Sequence, residues 1–175
     1  MSLVIRDSVD EDIADITAIY RDAVESGTAS FELVAPDEIE MARRRAQLVH
    51  GGYPYLVAEL SGRLAAYAYA GPYRPRPAYR YTVEDSVYVA DWARRLGLAR
   101  ALFLGLIEAC TARGFRQMIA IIGDSRHSAS IDLHHGLGFE MVGTIRDVGY
   151  KFDRWLDSVV MQRPLGKGAS APPDD

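Results

Sequence analysis

An apolar, β-prone segment, Val87-Tyr88-Val89, leads into the basic, glycine-containing turn Arg94-Arg95-Leu96-Gly97-Leu98-Ala99. That turn opens directly into an amphipathic run beginning at Arg100. Backbone N–H groups at such a turn and helix start lack intrahelical partners. With the positive end of the helix dipole they form an anion site that fits a pyrophosphate. Gly97 lets the backbone approach a phosphate closely, and small Ala99 keeps the surface uncrowded. Arg94, Arg95 and Arg100 add positive charge where a phosphorylated cofactor would lie. The pattern lacks the three glycines of the dinucleotide fingerprint and the Gly-Lys-Ser/Thr of a P-loop. Taken alone, the turn is equally a solvated basic start to a helix.

The chain has 175 residues, which predicts one domain with a real core over residues 1–165 and a mobile tail over 166–175. A hydrophobic fraction of 49% argues against disorder, and a net charge of -4 gives no general case for nucleic-acid binding. The run Arg43-Arg44-Arg45 falls on a helical pattern and reads as a solvated face. The single cysteine, Cys110, excludes an intrachain disulfide and a cysteine-cluster metal site, and its apolar helical setting reads as a buried thiol. No segment reaches the length of a membrane span and Met1-Ser2-Leu3 does not open a signal peptide, so a soluble, intracellular protein is expected.

Along the chain the pattern predicts a strand at 3–6 and a helix capped by Asp7 or Ser8, with Ile13, Ile16, Tyr20 and Val24 on one face. An irregular loop at 27–32 and a second helix ending near Val49 follow. Strands at 53–59 and 64–70 are joined at Ser61-Gly62, and a stiff, polar loop at 71–77 precedes a strand at 79–90. The helix at 98–113 carries Leu98, Leu102, Leu106 and Cys110 on one stripe and stops at Gly114. A strand at 117–122, a short helix at 128–136 and strands at 140–152 and 155–163 complete the chain. The order β-α-α-β-β-β-α-β-α-β-β is an α/β chain, with a mixed sheet and helices packed on its faces.

At this point the sequence resembles a known family. The element order and Arg94-x-x-Gly97-x-Ala99 are similar to the GNAT superfamily of N-acetyltransferases, whose pyrophosphate motif is Gln/Arg-x-x-Gly-x-Gly/Ala. Three stretches narrow the resemblance to the phosphinothricin N-acetyltransferase group. They are Ala66-Tyr67-Ala68-Tyr69-Ala70-Gly71-Pro72, the run from Tyr79-Arg80-Tyr81 through Glu84-Asp85-Ser86 to Val87-Tyr88-Val89, and Ser130-Ile131-Asp132-Leu133-His134-His135-Gly136-Leu137-Gly138-Phe139. The resemblance implies the GNAT fold, a mixed, mostly antiparallel twisted sheet with helices on both faces. It also implies a cytoplasmic homodimer that moves acetyl from acetyl-CoA to the α-amine of small amino-acid analogues. The family's substrate types are phosphinothricin, methionine sulfone and methionine sulfoximine.

The resemblance assigns roles residue by residue. An α-amine with a pKa of about 8 is mostly protonated at neutral pH, and Glu84 matches the family's general base; the plain alternative is a carboxylate paired with Arg80. Backbone groups of Val87, Tyr88 and Val89 hold the cofactor and polarise its thioester, and Arg94, Arg95, Leu96, Gly97, Leu98, Ala99 and Arg100 take the pyrophosphate. His134 stands where many GNAT enzymes place a tyrosine that protonates the departing thiolate, with a structural histidine as the alternative; His135 points elsewhere, to the surface. His127 departs from the family's usual asparagine cofactor contact. Arg74, Arg76 and Arg80 are the cations for a substrate carboxylate or phosphinate, with a plain solvated loop as the alternative, and Phe31, Asp85 and Ser86 complete the substrate set, Phe31 as a pocket wall or a core aromatic.

Direct transfer needs no metal, and the chain has no convincing metal-ligand spacing. No nucleic-acid or membrane partner is expected. Two other functions remain open from sequence: acetylation of another amine, such as a polyamine or a protein N-terminus, and a non-catalytic acyl-CoA-binding module.

Overall fold

The element order expected from sequence is the order found in the computed structural model, which describes residues 2–173. It runs β1 (Leu3–Asp7), α1 (Ile13–Ser26), α2 (Glu38–His50), β2 (Tyr55–Leu60), β3 (Arg63–Pro72) and β4 (Thr82–Val89). Then come α3 (Leu98–Ala112), β5 (Gln117–Gly123), α4 (Ser128–His135), β6 (Glu140–Lys151) and β7 (Arg154–Pro164). The strands form one sheet in the order β1-β2-β3-β4-β5-β7-β6. Every neighbouring pair is antiparallel except β4 and β5, which are parallel. That single parallel pair positions the site described below.

Period-two alternation divides the sheet into two faces with different side chains. Tyr55, Tyr67, Tyr69 and Tyr88 stack on one face, with Tyr20 of α1 edge-on to Tyr88 and ring centroids 5.0–5.8 Å apart. The other face is lined by Ala66, Ala68 and Ala70, whose small side chains leave room for α3 to lie close. From α3, Leu102, Phe103, Leu106 and Cys110 pack inward and are fully buried. Burying each such leucine contributes roughly 1.5–3 kcal/mol. Helices therefore cover both faces, α1 and α2 the tyrosine face and α3 and α4 the alanine face.

Three local expectations change. Neither Asp7 nor Ser8 caps α1; a 3-10 turn at Asp10–Asp12 intervenes, and the Asp12 carboxylate accepts the Val9 N–H at 2.8 Å. Ser8 is occupied elsewhere, because Arg45 is buried and donates to the Ser8 hydroxyl at 2.7 Å and to Asp10 at 2.6 Å. The three-arginine run is thus not one solvated face: Arg44 bridges Glu32 and Glu40, and only Arg43 lies fully outward. The expected strand start at 79 is a 3-10 turn, Pro77–Tyr79, because Pro77 presets φ for the first turn position. Beyond Leu165 the chain turns back, and the Arg116 guanidinium donates to the carbonyls of Gly168 and Pro172; Asp174 and Asp175 of the expected tail lie outside the described residues.

Candidate active site

β4 and β5 stay paired only at Thr82↔Gln117, Val83↔Met118 and Glu84↔Ile119, and then diverge. From Asp85 to Val89, β4 keeps β3 on one edge and, among the described residues, has no strand on the other. Its backbone N–H and C=O groups on that edge need partners, and an extended amide-containing chain can supply them. The gap widens into a cleft of about 590 Å³ between α1, the loop after it, β4, the end of β5 and α4. Val87, Tyr88 and Val89 line it.

At the mouth, Arg95 (φ 63°) and Gly97 (φ 79°) both adopt left-handed backbone, so the turn curls its N–H groups toward one side. α3 begins at Leu98 with no side-chain cap, which leaves its first amides for a ligand. Arg94, Arg95 and Ala99 border the cleft, Leu98 is core and Leu96 is exposed. Arg94 is paired with Asp91 at 2.7 Å, and Arg100 donates to the Gly136 carbonyl at 3.1 Å, tying α3 to the end of α4. His127 precedes α4 on the opposite wall, its pKa lowered because surrounding protein replaces part of its water. This geometry fits a phosphorylated ligand with an amide-bearing arm.

Glu84 sits where the strands part, on the tyrosine face beside Ser86 and Tyr69. Burial, and then the nearby Asp85 charge, raise its pKa to about 6. Among the described residues no Glu84–Arg80 ion pair forms; Arg80 lies 4.6 Å over the Tyr81 ring and reaches the Pro77 carbonyl. A half-buried carboxylate with no cation on it and a pKa near neutrality suits a general base.

The neighbouring Asp85 turns the other way. The resemblance grouped it with Ser86 on the substrate side, but alternation buries it on the alanine face, where Oδ1 lies 3.2 Å from His134 Nε2. His134 is buried against Phe103 and Phe139, while His135 is exposed. The Cys110 thiol is buried and pushed up to about 12, which removes it as a nucleophile.

Phe31 crosses the outer strands and fills the space above Gly123 and Gly149; a Cβ on Gly149 would come within 2.5 Å of its ring. Its loop is held by Tyr20 on the Ser30 hydroxyl at 2.9 Å and by buried Lys151 on the Ser30 carbonyl at 2.9 Å. Arg74, Arg76 and Arg80 lie on the exposed 73–81 loop next to the Glu84 end of β4, with Arg74 against the rings of Tyr73 and Tyr79. None of the three borders the 590 Å³ cleft. Sequence reasoning missed the Asp85–His134 pair, Lys151 and the two glycines under Phe31. Alternation from Glu84 puts Asp85 on the opposite face, but contacts spanning 49 and 121 residues leave no local trace of its partner or of Lys151.

Residues 5–160 match the model of the acetyltransferase (GNAT) domain family. The chain belongs to the GNAT family of N-acetyltransferases. It is 52% identical over 165 residues to the phosphinothricin N-acetyltransferase of Alcaligenes faecalis, a span of 94% of this chain and 84% of that protein. It is 43% identical to the L-methionine sulfoximine/L-methionine sulfone acetyltransferase of Pseudomonas aeruginosa, covering 98% of this chain and 100% of that one. Its fold superposes on a GNAT superfamily phosphinothricin acetyltransferase of Sinorhizobium meliloti solved in complex with AcCoA. The TM-score is 0.97 at 46% identity, covering 100% of this chain and 95% of that one. The GNAT assignment accounts for the seven-stranded mixed sheet and for helices on both of its faces. Among the described residues no His, Cys, Asp and Glu cluster is placed to hold a metal, and no helix is long and apolar enough to cross a membrane.

Proposed function

We propose that this enzyme transfers acetyl from acetyl-CoA to the α-amine of a small amino-acid analogue of the phosphinothricin, methionine sulfone or methionine sulfoximine type. The observation that carries the reading is Glu84 at the fork of β4 and β5, uncoupled from any arginine and titrating near 6. The names of the relatives supply the acceptor class. The left-handed turn at Arg95 and Gly97 takes the pyrophosphate of acetyl-CoA, and the free edge of β4 takes its amide-bearing arm.

Glu84 removes a proton from the substrate ammonium, directly or through a water, and the freed amine attacks the thioester carbonyl. The new C–N bond forms as the carbonyl π electrons move onto oxygen, where β4 backbone N–H groups stabilise them. Collapse restores the carbonyl and releases the thiol, with His134 as the acid. Arg74, Arg76 and Arg80 hold the acceptor's carboxylate or phosphinate, and Phe31 and Ser86 wall its side chain.

The same reading has the protein act in the cytoplasm as a homodimer. The outermost strand β6 exposes Val142, Ile145, Val148 and Tyr150, with Trp155 beside them, a surface of the kind another protein chain covers.

Acetyl-CoA-dependent thiol release, assayed on phosphinothricin, methionine sulfone, methionine sulfoximine, ordinary amino acids and N-terminal peptides, tests the acceptor. Turnover on one of the three analogues supports the reading. Turnover confined to peptides, or acetyl-CoA binding without turnover, would replace it with protein acetylation or a binding role.

A further inference from the structure

Asp85 and His134 form a buried pair in the wall of the cleft, on the side of β4 away from Glu84. His134 Nδ1 lies 2.6 Å from the Ser130 carbonyl oxygen, which only accepts, so Nδ1 carries a proton. Edge contacts with Phe103 and Phe139, at 4.8 and 5.0 Å between ring centres, hold the ring in that orientation. Nε2 is then the one ring position whose protonation changes, and its partner is Asp85 Oδ1 at 3.2 Å. Asp85 Oδ2 is fully buried and makes no hydrogen bond among the described residues.

We propose that Asp85 is a positioning residue for acetyl transfer: through its bond to Nε2 it holds the His134 ring and keeps a proton there for the sulfur of the departing thiol. The proposal rests on the reading of His134 as the acid. When the adduct collapses, the C–S bond breaks with its electron pair on sulfur, and the Nε2 proton moves to that sulfur. The adduct nitrogen gives up its second proton to solvent, and the products are the amide, a free thiol and a neutral imidazole. Neutral His134 then leaves Asp85 as a buried anion without a cation, which draws a replacement proton from water entering the emptied cleft. The proton taken by Glu84 leaves to solvent on the opposite face.

The groups around His134 are few. Asp85 faces it from β4, Cys110 of α3 lies near Asp85, His127 stands at the start of α4, and Glu84 lies on the far side of β4. Burial pushes the His134 pKa down, but the hydrogen bond and charge of Asp85 outweigh it and leave the pKa above 6.5. Burial raises the Asp85 pKa, with His134 opposing it. Burial raises the Cys110 pKa to about 12 and lowers that of His127, and Asp85 is the charge that raises His134.

The test is an NMR titration of the His134 ring nitrogens in the full chain, beside the pH profile of kcat for thiol release at saturating acetyl-CoA. In the parent, the Nε2 proton persists to higher pH than in an ordinary histidine. In Asp85→Asn the midpoint falls by about one pH unit, roughly tenfold in proton affinity, and the high-pH limb of kcat moves down with it. KM for acetyl-CoA changes by no more than about twofold, since Asp85 acts through His134 rather than on the ligand. An unmoved His134 midpoint in Asp85→Asn overturns the coupling. A uniformly lower rate with an unmoved limb reduces Asp85 to structural support and also overturns it. An unchanged kcat profile in His134→Gln instead removes the acid reading beneath the proposal, whatever the titration shows. The parent alone suffices if Asp85→Asn does not fold: a His134 midpoint below 6.5 contradicts the proposal.

Discussion

Glu84 and Asp85 are adjacent carboxylates, yet the alternation of β4 gives them opposite environments. Glu84 emerges on the tyrosine face at an open fork, without a cation on it, and burial raises its pKa to about 6. Asp85 is driven into the alanine face and committed to His134. Glu84 also feels Asp85, whose charge is the second cause of its shift. One strand thus offers a proton acceptor on one side and a proton-holding pair on the other, which a reaction that takes a proton from an amine and gives one to a thiolate requires. The difference comes from side-chain period, not residue type.

The largest effect is expected on the open side. Glu84→Gln keeps the shape and removes the base, and should lower kcat/KM roughly 100- to 10,000-fold with little change in Tm. A loss of stability of comparable size would show that Glu84 belongs to the architecture and erase the contrast. On the buried side the order reverses: Phe103→Ala removes the ring under His134 and should destabilise the fold by about 3–5 kcal/mol, measured by denaturant unfolding.

How much of this was legible follows from the range of each interaction. The strand, turn and helix around Gly97 were readable because their signals lie within a dozen residues, and the element order held along the whole chain. Glu84 and Gly97 were placed by family motif and local chemistry together. The partner of Asp85 was not, because His134 reaches it across 49 residues and nothing local announces the pairing. Arg45 shows the same limit: three consecutive arginines read as one solvated face until Ser8 and Asp10, 37 and 35 residues away, bury the last of them. The arginines of the 73–81 loop were legible as a basic cluster, but chain order alone could not show that they stand outside the cleft.

Two smaller effects sharpen the division between the catalytic fork and the cofactor mouth. Gly97→Ala forces a side chain into left-handed backbone, costs about 1–2 kcal/mol, and should raise KM for acetyl-CoA while leaving the acceptor KM unchanged. Equal changes in both constants would mean that the turn and the fork are not separate regions. Arg94→Ala should do least, about 1 kcal/mol or less in stability by thermal unfolding, because its pair with Asp91 is an exposed one.

The most direct test of the central claim is the pH dependence of kcat/KM on phosphinothricin, measured by thiol release in the parent and in Glu84→Gln. A base must be ionised to act, so parent activity should fall as pH drops through about 6, and the residual activity of Glu84→Gln should lose that limb. A limb that survives unchanged in Glu84→Gln would assign it to another group and contradict Glu84 as the base.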